Sequence, residues 1–319
     1  MNKAIMIKKI LQKSAEKLLR DNLAMKPKEK IVVVTDRKKC RIFQAICQAV
    51  EKNGGNLKQM KITNKRTSGA ALPNLKKDFI EADIIIAVTD KSISHCPEVR
   101  LARKKHGVRV ISMPGINEIM FIEAMLANKN IIHKISKKIG RKLLHCRRIK
   151  ITTPSGTQLN ANVIKNAIFF EWGDSTRKGI LNNVPFGEAG IAPINIVNGI
   201  LAIDSVGKRI MPQDKVILII KKGKIIDWNN KKAKKFVDFL KGVDGNKALR
   251  AVELSFGTNP KHKKLINNIL YDEKILGSCH IAFGGLGNKR KCKIHQDVIL
   301  LRPTVFFDEI LVIKNGKIL

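Results

Sequence analysis

Ile31-Val32-Val33-Val34-Thr35-Asp36 stands between a lysine-rich turn and a helical pattern. β-Branched side chains favour strands, and a run without polar alternation predicts a strand buried on both faces, as in a parallel sheet. The same texture returns in Ile84-Ile85-Ile86-Ala87-Val88-Thr89-Asp90 and in Val108-Arg109-Val110-Ile111-Ser112-Met113. Helical patterns separate these runs. Apolar residues at Ile7, Ile10, Leu11 and Leu18 place an amphipathic helix over 3–25, ended by Lys26-Pro27-Lys28. A second helix from about Cys40 to Asn53 is closed by Gly54-Gly55, and a third stretch runs to Lys105. Strands alternating with helices predict βαβ units in a doubly wound, mostly parallel sheet. Such sheets bind ligands at the carboxyl ends of their strands, which points to Asp36, Asp90 and the Met113-Pro114-Gly115 turn. Thr35-Asp36-Arg37-Lys38 is no glycine-rich phosphate loop, so a nucleotide has no support.

The texture changes near residue 145. Arg148 to Thr153 reads as a strand, Pro154-Ser155-Gly156 as a turn, and the following segments are shorter. Lys221-Lys222-Gly223-Lys224 joins two apolar runs as a hairpin, Lys314-Asn315-Gly316-Lys317 marks another turn, and Lys231 to Gly242 is a helix. The 319 residues exceed what one core usually supports. Two domains are expected: an α/β, Rossmann-like domain over 1–145 and an α+β metal-binding domain over 146–319.

The formal net charge is +36, which raises nucleic acid or an anionic membrane as partners. The distribution argues against both. Lysines recur along the whole chain, aromatics are only 5%, and no nucleic-acid motif accompanies the charge. The densest basic run, His133 to Lys150, reads as a solvated helix face. No apolar run is long enough to span a bilayer and no signal peptide opens the chain. None of the six cysteines forms a CxxC pair, so free buried thiols in a cytoplasmic protein are expected.

Two of the seven histidines lie close together near the end. Gly277-Ser278-Cys279-His280-Ile281-Ala282-Phe283-Gly284 and Ile294-His295-Gln296-Asp297-Val298-Ile299-Leu300 read as strands. Residues two apart share a face, so His295 and Asp297 project together. If His280 meets them across a turn, the three form a two-histidine, one-carboxylate set of the kind that holds a divalent metal with open positions. A hydrogen-bonded structural pair is the competing reading. Glu188, in Val184-Pro185-Phe186-Gly187-Glu188-Ala189-Gly190, and Glu253, in Ala251-Val252-Glu253-Leu254-Ser255-Phe256-Gly257, are glycine-flanked acids in apolar surroundings. Each reads equally as a metal ligand, a cap or a surface charge.

Taken together, Asn183-Val184-Pro185-x-Gly187-Glu188, Glu253-Leu254-x-x-Gly257-Thr258-Asn259-Pro260, Tyr271-Asp272-Glu273-Lys274-x-x-Gly277-x-x-His280-Ile281-Ala282-x-Gly284 and His295-x-Asp297 form an ordered series. The series resembles the aminopeptidase T family of metallo-aminopeptidases. That resemblance implies two divalent ions (zinc, cobalt or manganese) held by Glu188, Glu253, His280, His295 and Asp297. It also implies hydrolysis of an N-terminal peptide bond or small amide by a metal-activated water, and a homodimer. Glu188 and Glu253 are the candidates for a general base. The bridge after His280 departs from those enzymes, which carry a tyrosine there; Tyr271 is the only tyrosine in this chain. The same superfamily includes dihydroxypyridine ring-cleaving dioxygenases, which resemble these aminopeptidases but hold one Fe(II). Their ligands correspond to His280, His295 and Asp297, which makes a ring-cleaving dioxygenase the alternative.

Overall fold

The computed structural model describes residues 3–65, 69–164, 167–194, 196–286 and 291–319. The first part runs α1 (Lys3–Lys17), β1 (Lys30–Thr35), α2 (Arg41–Lys52), β2 (Asn56–Lys61), α3 (Lys76–Glu81), β3 (Ile84–Val88), α4 (Pro97–His106), β4 (Arg109–Ser112), α5 (Glu118–Leu126) and α6 (Lys129–Leu144). There follow β5 (Arg148–Thr152), β6 (Gln158–Asn162), β7 (Ile168–Glu171), β8 (Leu181–Asn183), β9 (Glu188–Ile191), β10 (Val197–Ile203), β11 (Val216–Lys221) and β12 (Lys224–Trp228). The chain closes with α7 (Lys231–Asp244), β13 (Ala251–Gly257), α8 (Ile269–Asp272), β14 (Cys279–Gly284), β15 (His295–Leu300), β16 (Thr304–Phe307), β17 (Ile310–Lys314) and β18 (Lys317–Ile318). It is a mixed α/β protein with a parallel sheet and two largely antiparallel ones.

Contacts group the chain into two units: Met1–Lys129 with Gly173–Phe186, and Asn130–Trp172 with Gly187–Leu319. The change in sequence texture at 145 therefore falls just after α6, whereas the contacts place almost all of α6 with the second unit and return 173–186 to the first.

The first unit is built on the parallel order β2-β1-β3-β4-β8. Its three apolar strands are buried along their length, apart from Lys30 at the start of β1, as their unbroken β-branched composition requires. One face, with Val32, Val34, Ile85, Ala87 and Val110, packs against Phe79 of α3 and Val99 and Ala102 of α4. The alternate residues Ile31, Val33, Ile84, Ile86 and Ile111 are also buried. Chain order reverses on either side of β1, the mark of double winding. The lysine-rich strand β2 gave no apolar signal because, as an edge strand, it buries little. The expected first helix continues past α1 as a wider turn over Leu18–Asn22.

The second unit carries an eight-stranded sheet, β12-β11-β10-β6-β5-β16-β17-β18, and a five-stranded sheet, β15-β14-β13-β9-β7. The hairpins expected at 221–224 and 314–317 join β11 to β12 and β17 to β18. One core cluster unites the two sheets with α6 and α7 through Ile139, Leu143, Phe236 and Leu240.

Candidate metal centre

The five-stranded sheet of the second unit sorts its side chains by face. Leu254 and Phe256 of β13, Ile281 and Phe283 of β14, and Val298 and Leu300 of β15 all join the core cluster. Their neighbours in sequence must then project from the opposite face. Registers align those neighbours across the strands. His280 lies opposite Ser255, Glu253 and Asp297 each lie opposite Ala282, and His295 lies opposite Gly284. On the other side Gly257 faces Glu188 and Glu188 faces Glu171. One face thus bears Glu171, Glu188, Glu253, His280, His295 and Asp297, separated by glycine, alanine and serine. The small residues leave room for the functional ones: at Gly190 a Cβ would collide with Ser255 Oγ and the Leu254 carbonyl.

All five residues expected from the sequence are brought together. His280 Nε2 lies 3.2 Å from Glu188 Oε2 and 3.5 Å from Glu253 Oε1. His295 Nε2 lies 3.7 Å from Glu253 Oε2 and 3.4 Å from Asp297 Oδ1. The four contacts thread the set in the order Glu188, His280, Glu253, His295, Asp297. Among the described residues, two groups bring their ligand atoms within 4.8 Å of one another: Glu188 with Glu253 and His280, and Glu273 with His280 and Asp297. His295 joins through Glu253 and Asp297 rather than as a member of either group. Its Nδ1 donates to the Gly285 carbonyl at 2.8 Å, which fixes the ring and turns Nε2 toward the acids. His295 is also the open edge of the cluster, its side chain 25% exposed while that of His280 is buried.

Three further residues escaped the sequence reading as site members: Glu171, Glu273 and Lys274. The buried Lys274 ammonium lies 2.5 Å from Glu188 Oε1, 2.9 Å from Glu273 Oε1 and 3.1 Å from Glu171 Oε2. Glu273 and Lys274 belong to the quoted motif, but nothing in it signals that the lysine points inward. Glu171 is visible only through the register of β7 on β9.

Charge is tightly coupled here. Burial penalises the Glu188 carboxylate, yet Lys274 and His280 outweigh it and hold the group well below the usual range. Burial disfavours a charged His280, but Glu188 and Glu253 raise it well above an ordinary histidine. Against the same penalty Asp297 and Glu253 lift His295 to about 10, and His295 in turn lowers Asp297. Glu273 moves the other way. Burial pushes it up to about 8 against the pull of Lys274.

The donor set fits a divalent cation. Two imidazoles and several carboxylates converge on one face of the sheet. Among the described residues, buried Glu188 Oε2 makes no hydrogen bond and has His280 Nε2 as its neighbour at 3.2 Å, a polar pair that a nearby cation would satisfy.

The other flagged positions have different roles. Asp36 accepts the backbone N–H groups of Asp90 (2.7 Å) and Lys91 (3.4 Å), and Arg37 donates to Asp90 (2.7 Å) and to the Ile116 carbonyl (2.6 Å). These groups tie the loops at the strand ends together. None of the six cysteines is in a disulfide. Part of the basic bridge between the histidines, Gly287 to Arg290, lies outside the described residues. No described helix is long and apolar enough to cross a membrane.

A family model for NicX, 2,5-dihydroxypyridine 5,6-dioxygenase, matches residues 12–319. No curated protein sequence matches the chain. Among solved structures, 2,5-dihydroxypyridine dioxygenase from Pseudomonas putida KT2440 superposes with a TM-score of 0.82 at 15% identity, covering 97% of this chain and 96% of that one. Wild-type AmpT from Thermus thermophilus superposes with a TM-score of 0.66 at 14% identity, covering 98% and 99%.

Proposed function

The chain belongs to the 2,5-dihydroxypyridine 5,6-dioxygenase (NicX) family, and on that premise we propose that it is a mononuclear non-haem iron dioxygenase opening the ring of a dihydroxylated pyridine or a closely related heteroaromatic. The motif series led first to aminopeptidase T. The likeness to AmpT supports the shared fold, while the family match favours the dioxygenase branch that the same motifs allowed. The observation that carries the reading is the placement of His280, His295 and Asp297 on one face of the adjacent strands β14 and β15.

In this reading His280, His295 and Asp297 hold the ion. A ferrous ion in such a set supplies open positions and a redox couple for oxygen chemistry. The protein does the rest. The Gly285 carbonyl keeps His295 oriented through Nδ1. Glu253 lies between the two imidazoles, and Ser255 Oγ donates to its Oε1 at 3.2 Å. This places a carboxylate where it can accept the proton of a ring hydroxyl as the substrate anion forms. The exposed edge at His295 is where a flat ring would enter.

The test is a comparison of loaded forms. Protein purified without chelators is reconstituted separately with Fe(II), Zn(II), Co(II) and Mn(II), then assayed for loss of 2,5-dihydroxypyridine ring absorbance and for release of p-nitroaniline from aminoacyl anilides. Only the iron form should open the ring, and none should release amine. Anilide hydrolysis by the other forms with an intact ring in the iron form would return the protein to the peptidases.

A further inference from the structure

Lys274 is fully buried in the segment between α8 and the strand that carries His280, and its ammonium is enclosed by carboxyl groups of Glu171, Glu188 and Glu273 at 3.1, 2.5 and 2.9 Å. An ammonium has three N–H donors, and three carboxyl groups surround this one. Burying a lysine is costly unless opposite charge surrounds it, so the side chain and the acids hold each other in place. The acids concerned are not peripheral. Glu188 gives Oε1 to Lys274 and turns Oε2 to His280, and Glu273 also groups with His280 and Asp297.

A cocatalytic metal pair needs carboxylates to bridge the ions and offset their charge. In this site those acids already face a cation that is covalently part of the chain. We propose that Lys274 stands in for a second divalent ion, so that the centre takes a single metal and Glu188 stays with the lysine. Lys274 does not reach a reacting atom in this arrangement; it is a positioning residue that fixes the metal count and, through it, the class of chemistry. The inference rests on the one-iron reading above.

The experiment counts metal rather than turnover. Wild type, Lys274→Arg, Lys274→Ala and Lys274→Ala/Glu188→Gln are equilibrated with excess Co(II), desalted and analysed for cobalt per chain. The expected result is one ion in wild type and in Lys274→Arg, two in Lys274→Ala, and one again in the double variant. Propylammonium added to Lys274→Ala should displace the second cobalt. One ion in a folded Lys274→Ala overturns the proposal and leaves the one-iron reading standing. Two ions in wild type remove that reading itself. If Lys274→Ala does not fold without metal, the proposal requires cobalt to restore folding with two ions bound; failure to fold at every cobalt concentration shows that no divalent ion replaces the ammonium, and overturns it.

Discussion

His262 shows how far burial alone moves a side chain in this protein. Its ring stacks on Tyr271 with centroids 3.6 Å apart, Nδ1 donates to the Tyr271 carbonyl at 3.0 Å, and buried Nε2 has no hydrogen-bond partner among the described residues. Burial lowers its pKa from 6.5 to about 4. The unfolded chain therefore takes the proton first as pH falls. The stability this neutral ring allows is intact above about 6.5 and is lost between 6.5 and 4, by about 3 kcal/mol in full. Asp272 opposes it, since burial raises that acid to about 6 and the folded state gains relative stability as it protonates. The two effects separate when wild type is compared with His262→Gln in urea. The difference between the proteins should shift by about 3 kcal/mol from pH 7 to pH 4; parallel stability curves would show that His262 is not held neutral. At the metal centre the expected effect is larger. Asp297→Ala removes a proposed ligand and the acid that faces His295 Nε2. Fe(II) affinity measured by calorimetry should fall by more than the roughly 10–100-fold typical of outer-shell changes, and an unchanged affinity would remove Asp297 from the set.

At the scale of elements the site is a consequence of strand register. His280, His295 and Asp297 were legible because the two-residue period of a strand applies within each short run, and the antiparallel pairing of β14 with β15 supplies the turn that the pattern required. Glu188 and Glu253 were ambiguous from their surroundings and gained meaning only from the ordered motif series. Glu171 could not be found, because its relation to Glu188 exists only in the pairing of β7 with β9. Lys274 was hidden for a different reason: a lysine in a chain with 62 basic residues reads as surface until its burial is seen. The same register makes Gly190 a structural requirement. Gly190→Ala pushes a methyl into Ser255 and the Leu254 carbonyl between β9 and β13. Overpacking of this kind costs about 1–3 kcal/mol, measurable by denaturant unfolding. A variant as stable as wild type would mean that the strands move apart freely.

For the whole molecule, the alternation of buried strands and helices was enough to read a doubly wound parallel sheet, but not its full membership. Strand β8 comes after α6 and β5–β7 in sequence yet pairs with β4, a long-range step that local pattern does not encode. It matters for folding. A fragment of residues 1–145 would lose the pairing of Val110, Ile111 and Ser112 with Leu181, Asn182 and Asn183, and with it the hydrogen bond from Asn22 Nδ2 to the Gly173 carbonyl at 2.7 Å. Circular dichroism melts should show no cooperative transition for that fragment; a sharp one would prove the first unit independent of the returning strand. The candidate cluster is an acidic one in a chain of net charge +36. The central claim concerns what that cluster does once loaded. Oxygen uptake by the Fe(II)-reconstituted protein, followed with an electrode on adding 2,5-dihydroxypyridine, is predicted to match the ring consumed one for one and to vanish in Asp297→Ala. Ring loss without oxygen uptake, or no response to the substrate from fully iron-loaded protein, would contradict the account.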